Sequence, residues 1–112
     1  MTEFLTQREA AEKLGVAPTR IKQLWAENEI LKVVKDGKPM VPAKCLTDEN
    51  GFWEPLPTIH GTMFMLLDAG FSHDEATEWM LTEQESLGAV PLDCLADSRV
   101  RDVRNAILPL AF

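Results

Sequence analysis

Leu14-Gly15-Val16-Ala17-Pro18-Thr19-Arg20-Ile21-Lys22-Gln23-Leu24-Trp25 is the stretch whose reading decides the fold. Glycine reaches the left-handed conformation at little cost, so Gly15 can end one helix. Pro18 suits the first turn of the next, where its missing N–H would be unpaired anyway. Ile21, Leu24 and Trp25 recur at i, i+3, i+4 and define a buried face. At about 100° per residue, Thr19, Gln23 and Ala26 fall opposite that face, with Arg20 and Lys22 on its flanks. Two helices joined by a short turn, the second polar and basic outside, form the pattern of a helix-turn-helix, whose second helix enters the major groove of DNA. By composition alone this is any surface helix; the short turn and the small Ala10-Ala11 pair before it favour the helix-turn-helix.

Upstream, Thr6-Gln7-Arg8-Glu9 is a capping box that starts a helix over Gln7–Leu14. Ala10, Ala11 and Leu14 are its expected buried side, and Leu5 is a candidate staple. Downstream, Asn28 is a left-handed cap for the second helix, around Glu27-Asn28-Glu29. The segment from Ile30 to Val34 is rich in β-branched residues, and Lys35-Asp36-Gly37-Lys38 carries the Asp-Gly hairpin signal. The return strand, Pro39-Met40-Val41-Pro42, has prolines that should confine it to an edge or to its ends. A basic hairpin directly after a recognition helix reads as a wing over residues 31–42. Lys35 and Lys38 at the tip and Lys32 on the strand could reach phosphates or the minor groove. The competing reading is a solvated hairpin whose lysines guard an open edge. Ala43–Leu46 should form one turn, and Pro55-Leu56-Pro57 marks a boundary.

Beyond that boundary, Thr58–Ala69 reads as a buried helix with Ile59, Met63, Leu66 and Leu67 inside, closed by Gly70. A second box, Ser72-His73-Asp74-Glu75, opens a helix carrying Ala76, Trp79 and Met80. Gly88 and Pro91 punctuate a loop in which Leu92 and Leu95 are apolar anchors. Asp97 or Ser98 should cap a last helix, Arg99–Leu108, with Val100, Val103 and Ile107 inward and Arg99, Arg101 and Arg104 outward. The Pro109–Phe112 end could dock on the core or on a second subunit. The expected fold is mainly α: a winged helix-turn-helix with a short β-hairpin wing over 1–46, packed with an acidic C-terminal helical subdomain over 55–112.

The chain has 112 residues, 46% of them apolar and 26% charged, enough for a core without disulfides or metal. Cys45 and Cys94 read as buried free thiols in a reducing cytoplasm. Met1–Thr6 carries no secretory signal, and the apolar run Met63–Leu67 is too short to span a bilayer, so no membrane partner is expected. The net charge of −7 argues against nucleic acid, but the charge is unevenly placed. Residues 1–44 hold eight Lys or Arg against six Asp or Glu, whereas residues 45–112 hold three against twelve. Two surfaces with different partners would account for this; so would an acidic face kept for solubility. His60 and His73 lack ligand neighbours at metal spacing. No phosphate-binding glycine loop, nucleophile elbow or Cys–His pairing occurs, and Met63, Met65 and Met80 read as core. The sequence offers no case for an enzyme or a cofactor.

Leu14-Gly15-Val16, Ile30-Leu31 with the wing and Val41-Pro42, Leu56-Pro57, Leu66–Phe71, the Glu75–Trp79 helix, Pro91–Leu95 and the terminal arginine helix follow one another in an order that resembles an actinobacterial family of winged helix-turn-helix DNA-binding proteins. The mycobacterial representative of that family is a substrate of a Ser/Thr protein kinase. The resemblance implies DNA binding through the N-terminal half. The C-terminal half is also faintly similar to the toxin-binding domain of Xre-type antitoxins. The reading is therefore a DNA-binding transcriptional regulator in which Lys22 and Gln23 read base edges while Thr19, Arg20, Lys32, Lys35 and Lys38 hold phosphates. With so few cations per copy, a homodimer on a two-fold site of double-stranded DNA is expected. The alternative is an antitoxin-like interaction module whose acidic half binds a basic protein.

Overall fold

The computed structural model describes residues 3–111, so the readings that fall on Met1, Thr2 and Phe112 lie outside the described residues. The chain divides into two compact units, one ending at Pro57 and the other beginning at Thr58. The first contains β1 (Phe4–Thr6), α1 (Gln7–Leu14), α2 (Pro18–Ala26), β2 (Val33–Lys35), β3 (Lys38–Pro42), a 3-10 turn at Ala43–Cys45, β4 (Leu46–Thr47) and β5 (Glu54–Pro55). It is a winged helix-turn-helix.

The capping box forms at the start of α1. Thr6 Oγ1 accepts from the Glu9 amide at 3.1 Å, and the Glu9 carboxylate accepts from the Thr6 amide at 2.8 Å. These two bonds hold the Glu9 carboxyl below its ordinary pKa. Gly15 ends α1 at φ 71°, its N–H donating to the carbonyls of Ala11 and Glu12. α2 starts at Pro18 with no side-chain cap. Its entry is fixed instead by Gln7, whose Nε2 donates to the Pro18 carbonyl at 2.7 Å. Asn28, at φ 59°, turns the chain out of α2, and the Glu29 amide donates back to the Leu24 carbonyl. Ala10, Ala11, Ile21, Leu24 and Trp25 are buried between the elements. Leu14 is only half-buried, because it sits on the rim of a surface cleft with Val16 and Trp53.

The wing differs from its expected form in two respects: its first strand begins only at Val33, so Lys32 precedes it, and its second strand is not an edge. β3 is the central strand of a three-stranded antiparallel sheet, ordered β1-β3-β2. Leu5 belongs to a strand, opposite Val41, rather than to a local staple. The register explains how a strand with two prolines can be central. In a two-residue hairpin the pair flanking the turn, Lys35 and Lys38, exchanges hydrogen bonds. The nitrogen of Pro39 therefore faces the β1 side, where Thr6, opposite Met40, has already ended that strand. The nitrogen of Pro42 faces the β2 side, past Val33, which lies opposite Met40. Each proline stands where its neighbouring strand has run out, so no ladder bond is lost. Asp36 and Gly37 have φ 52° and 78°, the geometry an Asp-Gly turn of type I′ requires. A second small hairpin pairs Leu46 with Pro55 and Thr47 with Glu54.

The second unit contains α3 (Thr58–Asp68), α4 (His73–Leu81), α5 (Pro91–Ala96) and α6 (Val100–Ile107), followed by a 3-10 turn at Leu108–Leu110. α3 buries Ile59, Met63 and Leu66 as expected, but Thr62 takes the place foreseen for Leu67, which is half-buried along with Met65. The Thr62 hydroxyl donates to the Thr58 carbonyl at 2.7 Å, which lets a polar side chain sit inside. The second capping box forms between Ser72 and Glu75, and α4 turns Ala76, Thr77 and Met80 inward with Trp79 half-buried. Leu92 and Leu95 are buried, and they lie on a helix, α5, rather than in a loop. Neither Asp97 nor Ser98 caps α6: Asp97 terminates α5, and Ser98 makes the left-handed turn between them at φ 64°. Val103 and Ile107 are buried, Val100 is half-buried, and Arg99, Arg101 and Arg104 are exposed. Both cysteines are buried free thiols.

Candidate nucleic-acid interface

The outer surface of the first unit carries a cleft built by four elements: Thr6 of β1, Gln7 and Arg8 of α1, Thr19 and Lys22 of α2, and Lys38 and Met40 of β3 line it. No aspartate or glutamate lines it, in a chain whose formal charge is −7. The first turns of two helices open on it, and the amides of a helix's first turn carry partial positive charge. Its chemistry is that of a surface that attracts an anion.

Three of the residues expected to touch DNA, Thr19, Lys22 and Lys38, meet at this cleft. The other four stand elsewhere, all of them exposed. Arg20 borders a different cleft, which Val16, Trp53, Glu27, Glu29 and Glu54 also line. Its Nη1 donates to Gln23 Oε1 at 2.8 Å, so Gln23 is oriented by its helical neighbour. Lys32 lies 5.5 Å from the centre of the Trp25 ring, and Lys35 lies 4.0 Å from that of Phe4. Both are cation–π contacts. The sheet register places Lys35, Lys38, Met40 and Phe4 on one face, which is why a lysine of β2 can reach across β3 to β1. Trp25 also fixes the helix to the chain entering the wing: its Nε1 donates to the Leu31 carbonyl at 3.0 Å, in a buried setting.

Residues 2–46 match the family model described as "DNA-binding protein Rv2175c, wHTH domain", and residues 56–107 match "Rv2175c C-terminal domain of unknown function". The chain belongs to the Rv2175c family. A solved structure described as "NMR structure of Rv2175c" superposes with a TM-score of 0.81 at 22% identity, covering 98% of this chain and 82% of the other, and so shares the fold. No curated protein sequence matches at significance. The first unit is thus the winged helix-turn-helix of an Rv2175c-type protein, and the cleft lies on it.

Sequence reasoning missed Arg8, whose place in the first turn of α1 gave no sign that the wing would fold beside it. The only available signal was its position next to a capping box, since the first turn of α1 abuts that of α2 in a tight helix-turn-helix. Among the described residues, no group of three or more His, Cys, Asp or Glu is placed to hold a metal ion. None of the described helices is long and apolar enough to cross a membrane.

Proposed function

We propose that this chain binds double-stranded DNA through its first unit and acts in the cytoplasm as a transcriptional regulator. The observation that carries the reading is the carboxylate-free cleft where the starts of two helices meet the wing. With α2 in the major groove, Lys22 and the Arg20-oriented Gln23 face base edges, and Thr19 and Lys38 face the backbone. Lys35 extends the basic surface along the sheet, and Lys32 extends it beside Trp25. Function divides with the chain: residues 1–46 contact DNA, and residues 55–112, which hold three of the cations and nine of the carboxylates, serve a second copy or another protein. Few cations per copy favour a homodimer on a two-fold site.

Fluorescence anisotropy on mixed genomic duplexes across a salt series, with the oligomer mass measured alongside, tests this. With about four phosphates neutralised per protomer, log K should fall against log salt with a slope of about −3.6. Lys22→Ala should alter sequence preference, and Lys35→Ala should weaken all sequences alike. Affinity indifferent to salt would refute the proposal.

A further inference from the structure

We propose that Arg8, outside both the recognition helix and the wing, is a DNA contact: with Thr19 and Lys38 it seats one backbone phosphate in the cleft. The inference rests on the DNA-binding reading and adds a contact from α1. Four facts support it. Arg8, Thr19 and Lys38 come from three different elements and line one cleft, into which no carboxylate projects. Among the described residues the Arg8 side chain makes no hydrogen bond, ion pair or ring contact, although Glu12 lies one helical turn further along α1. Of the other cations of the two helices, Lys22 shares the cleft, whereas Lys13 lies 4.2 Å from the centre of the Trp53 ring and Arg20 is bonded to Gln23. Finally, the turn that carries Arg8 is held from both sides, by the Thr6–Glu9 box and by the Gln7–Pro18 bond.

The chemistry fits a phosphodiester. A guanidinium can present two parallel N–H donors to two phosphate oxygens, a geometry an ammonium lacks. The Thr19 hydroxyl adds a neutral donor, and Lys38 closes the wing side with a point charge. Because the backbone around Arg8 is already fixed, binding orders only its side chain. A phosphate held there fixes the register of α2 in the groove and so sets which base Lys22 meets.

The test is the same salt series with Arg8→Ala, Arg8→Lys and Lys13→Ala in the full chain, each checked for an unchanged circular dichroism melt. Arg8→Ala should make the slope shallower by about 0.9, one phosphate fewer, and weaken all sequences alike. Arg8→Lys should restore the slope, and Lys13→Ala should leave it unchanged. An Arg8→Ala slope equal to that of the wild type, with the wild type still salt-dependent, overturns the seat while DNA binding stands. Equal loss from Lys13→Ala would mean a diffuse field and also overturns it. Wild-type binding without salt dependence overturns both readings together. Where Arg8→Ala alters the melt, Arg8→Gln, which keeps length and helix propensity, gives the slope that decides.

Discussion

Replacing Trp25 by Phe should destabilise the first unit sharply, because this side chain does two jobs at once. Its ring packs among the buried residues of α2, and its Nε1–H is bonded to the Leu31 carbonyl at 3.0 Å. Phenylalanine keeps an aromatic ring but has no donor, and Leu31 is 1% exposed, so water has poor access to the orphaned carbonyl. An unsatisfied buried acceptor costs about 1–3 kcal/mol. The smaller ring leaves a gap worth about 1 kcal/mol more, on the scale of deleting one buried methyl group. Together these give about 2–4 kcal/mol, or a fall in melting temperature on the order of 10–30 °C for a unit of this size. Thermal melts followed by far-ultraviolet circular dichroism would read it. Trp53→Phe is the control: Trp53 is 37% exposed and its ring contact with Lys13 survives the change, so its melt should move by no more than about 0.5 kcal/mol equivalent. If Trp25→Phe melted within 2–3 °C of the wild type (about 0.5 kcal/mol), the bond to Leu31 would carry no weight and the link from α2 to the wing would have to be sought elsewhere.

Two further outcomes follow from single groups. Burial pushes the Cys45 thiol up to about 12 from 9.0, against a smaller opposing hydrogen bond from the Leu31 backbone. The unfolded chain therefore loses that proton first as pH rises: stability is fully present below about 9 and declines between 9 and 12 by about 1.4 kcal/mol per pH unit, a slope that Cys45→Ala should flatten in urea titrations. Gly37 sits at φ 78° with nothing within 4 Å of where a Cβ would lie, so Gly37→Ala should cost only backbone strain. That is about 1 kcal/mol by chemical denaturation, with a parallel loss of affinity for every DNA sequence as the wing tip shifts.

What was legible in the sequence was local. Both capping boxes, the left-handed Gly15 and Asn28, and the Asp36-Gly37 turn depend on residues within four positions of one another, and all formed. The inward face of α2 was legible for the same reason: Ile21, Leu24 and Trp25 repeat at the helical period. What escaped was set by partners distant in sequence. Phe4–Thr6 is a strand only because Met40–Pro42 lies beside it, and three residues show no alternation to read. The prolines of β3 signalled an edge strand, because the sequence does not show that each neighbour ends just where a proline needs it to. α5, only six residues long, hid behind Pro91, which opens it. At the candidate interface the outward face of α2 was foreseen, but the division of that face was not. Thr19 and Lys22 line the cation-lined cleft, whereas Arg20, one residue away from Thr19, lines another together with Glu27, Glu29 and Glu54.

Thr6 is at once the last residue of β1 and the cap of α1, and this has a consequence for the order in which the unit assembles. The cap, α1, the Gln7–Pro18 bond and α2 involve only residues up to Ala26, so they can form while the chain is still being made. β1 cannot pair until Met40, Val41 and Pro42 have emerged from the ribosome, since the loop it closes runs over residues 7–39. Until then Phe4 and Leu5 have no strand to pair with. The sheet therefore closes only after α1 and α2 have been made, joining Phe4–Thr6 to a strand that follows both helices.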